Sequence, residues 1–267
     1  MQLHSAAAAA GYRLATHGTL VSTNAEALAL ARRGERGPLW ITAQRQTAGR
    51  GRRGSEWISP PGNLYVTLLV SDSVPAVSAP ELSFVAALAV HDAILDLAPA
   101  LRGALALKWP NDILCGGAKL AGILIEGERV AGKLAVAIGI GVNCRHHPAP
   151  TAYPATDLVA AGAEISAENL FAALSGRMLE RLAQWRRGAG FQSVRADWIA
   201  RAAGIGGDMR VRLPGHELFG RGEALDERGR LLLRLADGGL QAITAGEVFP
   251  VASAPPPAYP PATGRVD

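Results

Sequence analysis

Apolar and polar positions alternate along the first half of the chain in a way that predicts short buried strands separated by helices. Leu39–Ala43 is an apolar run and reads as a buried strand. Asn63–Val70 reads as a second strand, following a turn at Pro60-Pro61-Gly62. Leu105–Trp109 is a short strand ended by Pro110-Asn111-Asp112. Ile113–Glu126 predicts a hairpin turning at Gly116-Gly117, with Lys119 at the start of the returning strand. Leu134–Asn143 is a further apolar strand carrying glycines at 139 and 141.

Helical periodicity appears four times. Ser22-Thr23-Asn24 precedes an alanine- and leucine-rich helix at Ala25–Arg33, and N-cap preference favours reading those three polar residues as its start. Exposed hydroxyls and an amide at a helix N-terminus are also suited to a small polar ligand. Ser78-Ala79-Pro80-Glu81 has capping-box spacing and predicts a helix through about Leu97, stopped by Pro99. Ser166 caps a long helix in which Leu170, Leu174, Met178, Leu182 and Trp185 form a core stripe, with Arg177, Arg181 and Arg186 on the wet side. A last helix spans about Phe191–Ala203 and ends at Gly204. Beyond it, segments 209–213, 217–225, 230–235 and 240–248 alternate with Gly-rich turns, the spacing of a small antiparallel barrel. At about 45 residues such a barrel is marginal alone and is expected to dock on the larger domain. The expected division is residues 1–204, 205–250 and a proline-rich, disordered tail at 251–267.

Between the first strand and Trp57 lies the least regular stretch. Gln46–Gly54 reads Gln-Thr-Ala-Gly-Arg-Gly-Arg-Arg-Gly. Three glycines among three arginines oppose both helix and strand. They leave a loop whose amides and guanidinium groups can converge on an anion. A solvated basic surface loop fits these residues equally well.

Composition narrows the setting. The chain has 267 residues, of which 49% are hydrophobic, enough for a substantial core, and no run resembles a spanning helix. Met1–Ala10 lacks the charged start of a secretion signal. Cys115 and Cys144 have no metal-like spacing and suit a reducing cytoplasm. A net charge of +4 is modest for a nucleic-acid binder. Of 27 basic residues only Lys108, Lys119 and Lys133 are lysines, which draws attention to those three ammonium groups. His146-His147 lacks further ligand spacing and reads as surface.

Six stretches occur together in order: Ser22-Thr23-Asn24; Gln46 to Gly54 with Trp57; Asn63-Leu64-Tyr65; Lys108-Trp109-Pro110-Asn111-Asp112; Lys119-Leu120-Ala121-Gly122-Ile123-Leu124; and Gly139-Ile140-Gly141-Val142-Asn143. In this order the chain resembles the biotin protein ligases over about residues 20–250. The resemblance implies an α+β catalytic domain, a mixed sheet with helices like that of class II aminoacyl-tRNA synthetases, followed by a C-terminal SH3-like β-barrel. It implies biotin and ATP as substrates, Mg2+ as cofactor, and biotinyl-5′-AMP as intermediate. It also implies, as partner, a lysine of a biotin carboxyl carrier protein. Residues before Val21 are too few for the N-terminal DNA-binding domain of some relatives, so the expected type is monofunctional and cytoplasmic, with no DNA or membrane partner; homodimerisation is left open.

Residue roles follow from the same resemblance. Ser22, Thr23, Asn24, Gln46, Gly49 and Gly122 would line the biotin site. Arg50, Gly51 and Arg52 would close over its carboxylate and the nucleotide phosphate, and Lys119 would contact both. Asp112 would orient a lysine or the metal, giving a catalytic set of Arg50, Arg52, Asp112 and Lys119. Arg52, Trp57, Lys108, Asn111 and Asn143 would face the nucleotide. An ion pair of Lys108 with Asp112 is the alternative for Lys108, and core packing the alternative for Trp57. No direct protein ligand for the metal is expected. Asp157 stands where the family often has Ser, leaving the contact of its loop open. A lipoate-type ligase and a nucleic-acid module using Arg45–Arg53 are the competing readings.

Overall fold

The computed structural model describes residues 1–71, 74–148 and 153–250; the expected tail at 251–267 lies outside the described residues. After a short helix, α1 (Ser5–Ala9), the chain forms β1 (Arg13–Leu20), α2 (Thr23–Arg32), β2 (Leu39–Gln46) and β3 (Leu64–Ser71). Then come α3 (Leu82–Leu97), β4 (Leu105–Lys108), β5 (Asp112–Cys115), β6 (Ala118–Val130) and β7 (Lys133–Val142). These seven strands make one sheet in the order β1-β2-β3-β7-β6-β5-β4. Only β1 and β2 pair in parallel, joined through α2; the other pairs are antiparallel.

Strand alternation divides the core. On β3, Leu64, Val66, Leu68 and Val70 face the large cluster built by α3, α4 (Ala167–Trp185) and α5 (Phe191–Ile199). Leu69 faces the other way, joining Ala27 and Ala31 of α2 and Ile41 of β2. On β7 the same alternation sends Val136, Ile138, Ile140 and Val142 to the large cluster. Ala135 and Ala137 pack under α2. The next two residues on that face are Gly139 and Gly141, and the sheet there carries no side chain. This bare patch lies beside the start of α2.

α3 is the central pillar, with twelve of its 16 residues buried. Fully burying Leu88 or Ile94 contributes about 1.5–3 kcal/mol each relative to exposure. The stretch Ala76–Leu97 is long and apolar enough by composition to cross a bilayer, contrary to the expectation that no run would be. Its apolarity has a different cause here: sheet and helices enclose it on nearly every side, and 67% of its most apolar window is buried.

The C-terminal sheet comprises β8 (Asp208–Leu213), β9 (His216–Leu225), β10 (Leu231–Arg234), β11 (Leu240–Ile243) and β12 (Glu247–Pro250), in the order β11-β10-β9-β8-β12. It does dock on the larger domain. Met209, Val211, Leu225, Leu231 and Leu233 belong to the same core cluster as α3 and α5. Trp109 donates its indole N–H to the Gly229 carbonyl at 2.9 Å. Gly229 has φ +75°, and an added Cβ would lie 2.8 Å from the Phe84 ring, so glycine is required for this close approach.

Several local expectations change. β1 was not expected; its exposed, polar-rich edge carries little alternation. The predicted 240–248 strand breaks in two, β11 and β12, and the second runs on to Pro250. The capping box at Ser78 does not form: Ala76–Glu81 is a 3₁₀ turn, α3 starts at Leu82, and Glu81 accepts from the Trp185 indole N–H at 2.5 Å. α5 stops at Ile199, short of Ala203. Ser166 does cap α4, accepting from the Asn169 N–H. Arg177 and Arg181 are not simply solvated, since they reach across to Asp96 and Asp92 of α3. His147 is exposed as expected, but its Nδ1 is 2.6 Å from the buried Asp157 carboxylate.

Candidate active site

A cavity of about 700 Å³ opens over the bare glycine patch. Its walls come from the start of α2, the 46–58 loop, β6, β7, the Trp109–Asp112 turn and the tip of the C-terminal sheet. Every site residue expected from sequence lines it except Gly49. Gly49 is buried just behind the wall. Its carbonyl accepts from the Trp57 N–H at 2.9 Å, and an added Cβ would sit 2.4 Å from the Trp57 carbonyl oxygen. Its role is close packing of the loop.

The first pole of the cavity is polar and uncharged. Ser22 occupies the N-cap position of α2 but makes no side-chain cap bond, so the favoured capping reading fails for its hydroxyl. The helix instead begins at Thr23, whose N–H donates to Gln46 Oε1 at 2.8 Å. Gln46 Nε2 in turn donates to Ser59 Oγ at 3.0 Å. Thr67 Oγ1 lies 2.8 Å from Thr23 Oγ1 and 2.6 Å from Asn24 Oδ1. Asn24 Nδ2 donates to Glu126 Oε2 at 2.8 Å. Buried amides and hydroxyls must find partners, and this network fixes their directions. Gly139 makes it possible: a Cβ there would lie 2.3 Å from Asn24 Oδ1.

The second pole is cationic. Asp112, at the start of β5, takes Lys108 Nζ at 3.2 Å on one oxygen and Lys119 Nζ at 2.8 Å on the other. Lys108 is 6% exposed, so the ion-pair alternative describes its position, and its ammonium also lies 4.0 Å from the Tyr153 ring centroid. Lys119 is held from both sides of its backbone, with its N–H on the Pro154 carbonyl and its carbonyl accepting from Thr156. Arg52 NH1 donates to Asn111 Oδ1 at 3.3 Å, while Asn111 Nδ2 donates to the Ile123 carbonyl. Burial and the adjacent Arg53 lower the Arg52 guanidinium's affinity for its proton, against the charges of Asp112 and Glu247. Arg50 NH2 reaches Glu126 at 3.2 Å.

Between the poles lies Trp57. Gly122 and Gly141 are register partners on β6 and β7, and added Cβ atoms would meet the indole at 3.0 and 2.6 Å respectively. Trp57 therefore rests on a two-glycine floor, with Lys119 Nζ 5.5 Å from its ring. Its buried indole nitrogen has no partner among the described residues. Packing accounts for its place. Asn143 lines the cavity with its amide already donating to the Thr156 carbonyl at 3.0 Å.

Sequence reasoning singled out Gly139 and Gly141 without giving them a site role, and missed the lining residues Tyr153, Arg212, Glu247 and Phe249. The two glycines were visible as a period-two pair on one strand. Arg212 and Phe249 carried no local signal, because only the docking of the C-terminal sheet brings them here. Among the described residues no group of three or more His, Cys, Asp or Glu side chains converges as a metal site.

Comparisons with known proteins point to one family. Residues 21–143 match the biotin/lipoate A/B protein ligase family, and residues 205–249 match the biotin protein ligase C-terminal domain. A biotin–[acetyl-CoA-carboxylase] ligase of Paracoccus denitrificans is 43% identical over 239 residues, covering 85% of this chain and 96% of the relative. One of Mycobacterium tuberculosis is 36% identical over 235 residues, covering 85% of each chain. Among solved structures, the Aquifex aeolicus biotin protein ligase in complex with biotin and ATP superposes with a TM-score of 0.72 at 25% identity, covering 89% of this chain and 97% of that one. The mixed α+β sheet and the C-terminal SH3-like domain are thus those of known ligases, and the chain belongs to the biotin protein ligase family.

Proposed function

We infer that this protein is an ATP-dependent biotin protein ligase that attaches biotin to a lysine of a biotin carboxyl carrier protein. The observation that carries the reading is one cavity with a neutral polar pole and a cationic pole, joined across the Trp57 indole that rests on Gly122 and Gly141. Along β6 these lie between Leu124 and Lys119, five residue steps that span at most about 17 Å of strand. A ligand with an uncharged hydrogen-bonding head and an acyl chain ending in a carboxylate fits that sequence of surfaces. A free nucleic acid strand has no use for the closed polar pole.

In the first step a biotin carboxylate oxygen attacks the α-phosphorus of ATP, and pyrophosphate leaves. In the second, the carrier lysine's amine attacks the anhydride carbonyl, an amide forms, the amine loses a proton and AMP leaves. Bringing a carboxylate to a triphosphate sets like charges together, so fixed cations are needed where charge accumulates. Lys119 and Arg52 serve that need, with Arg50 at the carboxylate. Asp112 holds both Lys119 and Lys108, leaving the trio with a net charge of +1, so a cationic ammonium is pre-placed before substrate arrives. Thr23, Asn24 and Gln46, with Ser22, receive the ureido head. Lys108, Asn111 and Asn143 face the nucleotide, and Trp57 forms the wall over which the acyl chain runs. Mg2+ would accompany ATP and shield phosphate charge, and among the described residues no cluster of three or more acidic, histidine or cysteine side chains would hold it.

Residues 1–204 form the catalytic domain in this reading, with 205–250 as the domain that closes it. The partner is the acetyl-CoA carboxylase carrier; the chain has no DNA or membrane partner and acts in the cytoplasm. A thermal-shift comparison separates this reading from a lipoate ligase. Biotin should raise the unfolding temperature and lipoate should leave it unchanged; the reverse order would reassign the substrate.

A further inference from the structure

Glu126 lies outside the set of groups that the proposed chemistry uses, yet one of its oxygens joins the two halves of the site. Oε2 accepts from Asn24 Nδ2 at 2.8 Å and from Arg50 NH2 at 3.2 Å. Asn24 belongs to the buried polar pole, while Arg50 is on the glycine-rich loop with its side chain 47% exposed. Asn24 is fixed from behind by Thr67 and by the Leu124 carbonyl, so Glu126 is the adjustable member. Around it, Arg52 and Arg53 are the loop's other charges, and no other side chain is seen to pair with Arg50 among the described residues.

We propose that Glu126 is a positioning residue whose carboxylate holds Arg50, and with it the Gln46–Gly54 loop, until an anionic ligand group takes over the guanidinium. This rests on the reading that Arg50 meets the biotin carboxylate. A guanidinium offers two donor edges, and a resident carboxylate on one edge both pre-orients the loop and repels a second anion. Glu126 thus sets how strongly the site discriminates a charged acyl end from a neutral one. It also offsets part of the repulsion between Arg50, Arg52 and Arg53 in the free protein.

Glu126→Gln keeps an oxygen for Asn24 Nδ2 and removes only the charge. For a pair this exposed the effect is about two- to fivefold. Calorimetry should show biotin binding two- to fivefold tighter in the variant, with the neutral biotin amide unchanged. Trypsin should nick the ligand-free variant at Arg50, Arg52 and Arg53 about two- to fivefold faster. Equal shifts for biotin and biotin amide would assign Glu126 a purely structural role through Asn24 and overturn the proposal; no shift for either would do the same. If the wild-type protein binds neither compound, the biotin reading fails, and the trypsin arm alone decides whether Glu126 holds the loop. Should Glu126→Gln not fold, Arg50→Gln breaks the same pair. It should then be nicked faster at Arg52 and Arg53, and a wild-type nicking rate would overturn the proposal.

Discussion

Replacing Lys119 with alanine separates catalysis from stability more cleanly than any other change in the site. Lys119 Nζ is 2.8 Å from Asp112 Oδ1, but Asp112 keeps Lys108 at 3.2 Å on its other oxygen. The deletion therefore leaves no uncompensated buried carboxylate. The Lys119 side chain is 31% exposed, so the lost pair costs about 1 kcal/mol of stability after solvent screening. Transition-state charge is another matter: removing one fixed donor from a closed site costs about 2–4 kcal/mol. At about 1.4 kcal/mol per factor of ten, adenylate formation should slow by about 30- to 1000-fold. Lys119→Arg should rescue poorly, because a planar, delocalised fork does not place a compact ammonium at the point Asp112 Oδ1 fixes 2.8 Å away. Pyrophosphate release gives kcat, and a melting curve gives the fold. A folded Lys119→Ala enzyme with near-normal kcat would refute the assignment.

Three further outcomes follow from the same geometry. Asp112→Asn leaves Lys108 buried beside Lys119 without its counter-charge and should destabilise the fold by about 3–5 kcal/mol in urea unfolding, far more than Lys119→Ala does. Gly141→Ala places a methyl 2.6 Å from the Trp57 indole, so the ring must leave the glycine floor; biotin binding should weaken at least tenfold, and unchanged affinity would show that Trp57 is not a wall of the site. Away from the site, the hydrogen bond from Arg13, aided by the Gly37 and Arg36 amides, lowers the Glu35 pKa to about 2. A carboxylate held below its unfolded value stabilises above about pH 4.5 and loses that contribution as pH falls through about 2. Glu35→Gln should therefore cost about 1 kcal/mol at pH 7 and almost nothing near pH 2, read from paired denaturation curves.

How far the sequence carried these conclusions depends on how local each signal is. Apolar runs mark β3 and β7, and the Gly116-Gly117 turn marks the β5–β6 hairpin, so the sequence itself puts Lys119 on the returning strand. β1 lacked such a pattern: it is an edge strand whose residues are half-exposed, and its pairing with β2 is a tertiary fact. At Ser22 the local preference for a side-chain cap is not realised; the first turn is held instead by long-range bonds of Thr23 and Asn24 to Gln46, Thr67 and Glu126. The capping box at Ser78 lost to a long-range bond between Glu81 and Trp185, 104 residues apart. Glu247 and Phe249 reach the cavity only because Gly229 lets the C-terminal sheet seat against Phe84. No window of local sequence contains that contact. Asp112 was legible as a candidate partner of Lys108, whereas its simultaneous hold on Lys119 required the hairpin to fold back across it.

The central claim is that one cavity both activates a carboxylate at the α-phosphate and passes the acyl group to a protein lysine. Its most direct test incubates the purified protein with radiolabelled biotin, Mg-ATP and an apo biotin carboxyl carrier domain, following nucleotide products and label on the carrier together. The account predicts one AMP and one pyrophosphate for each carrier lysine labelled, and pyrophosphate release with retained biotinyl-AMP when the carrier is omitted. ADP and phosphate in place of AMP and pyrophosphate, or a carrier that stays unlabelled while ATP is consumed, would contradict it.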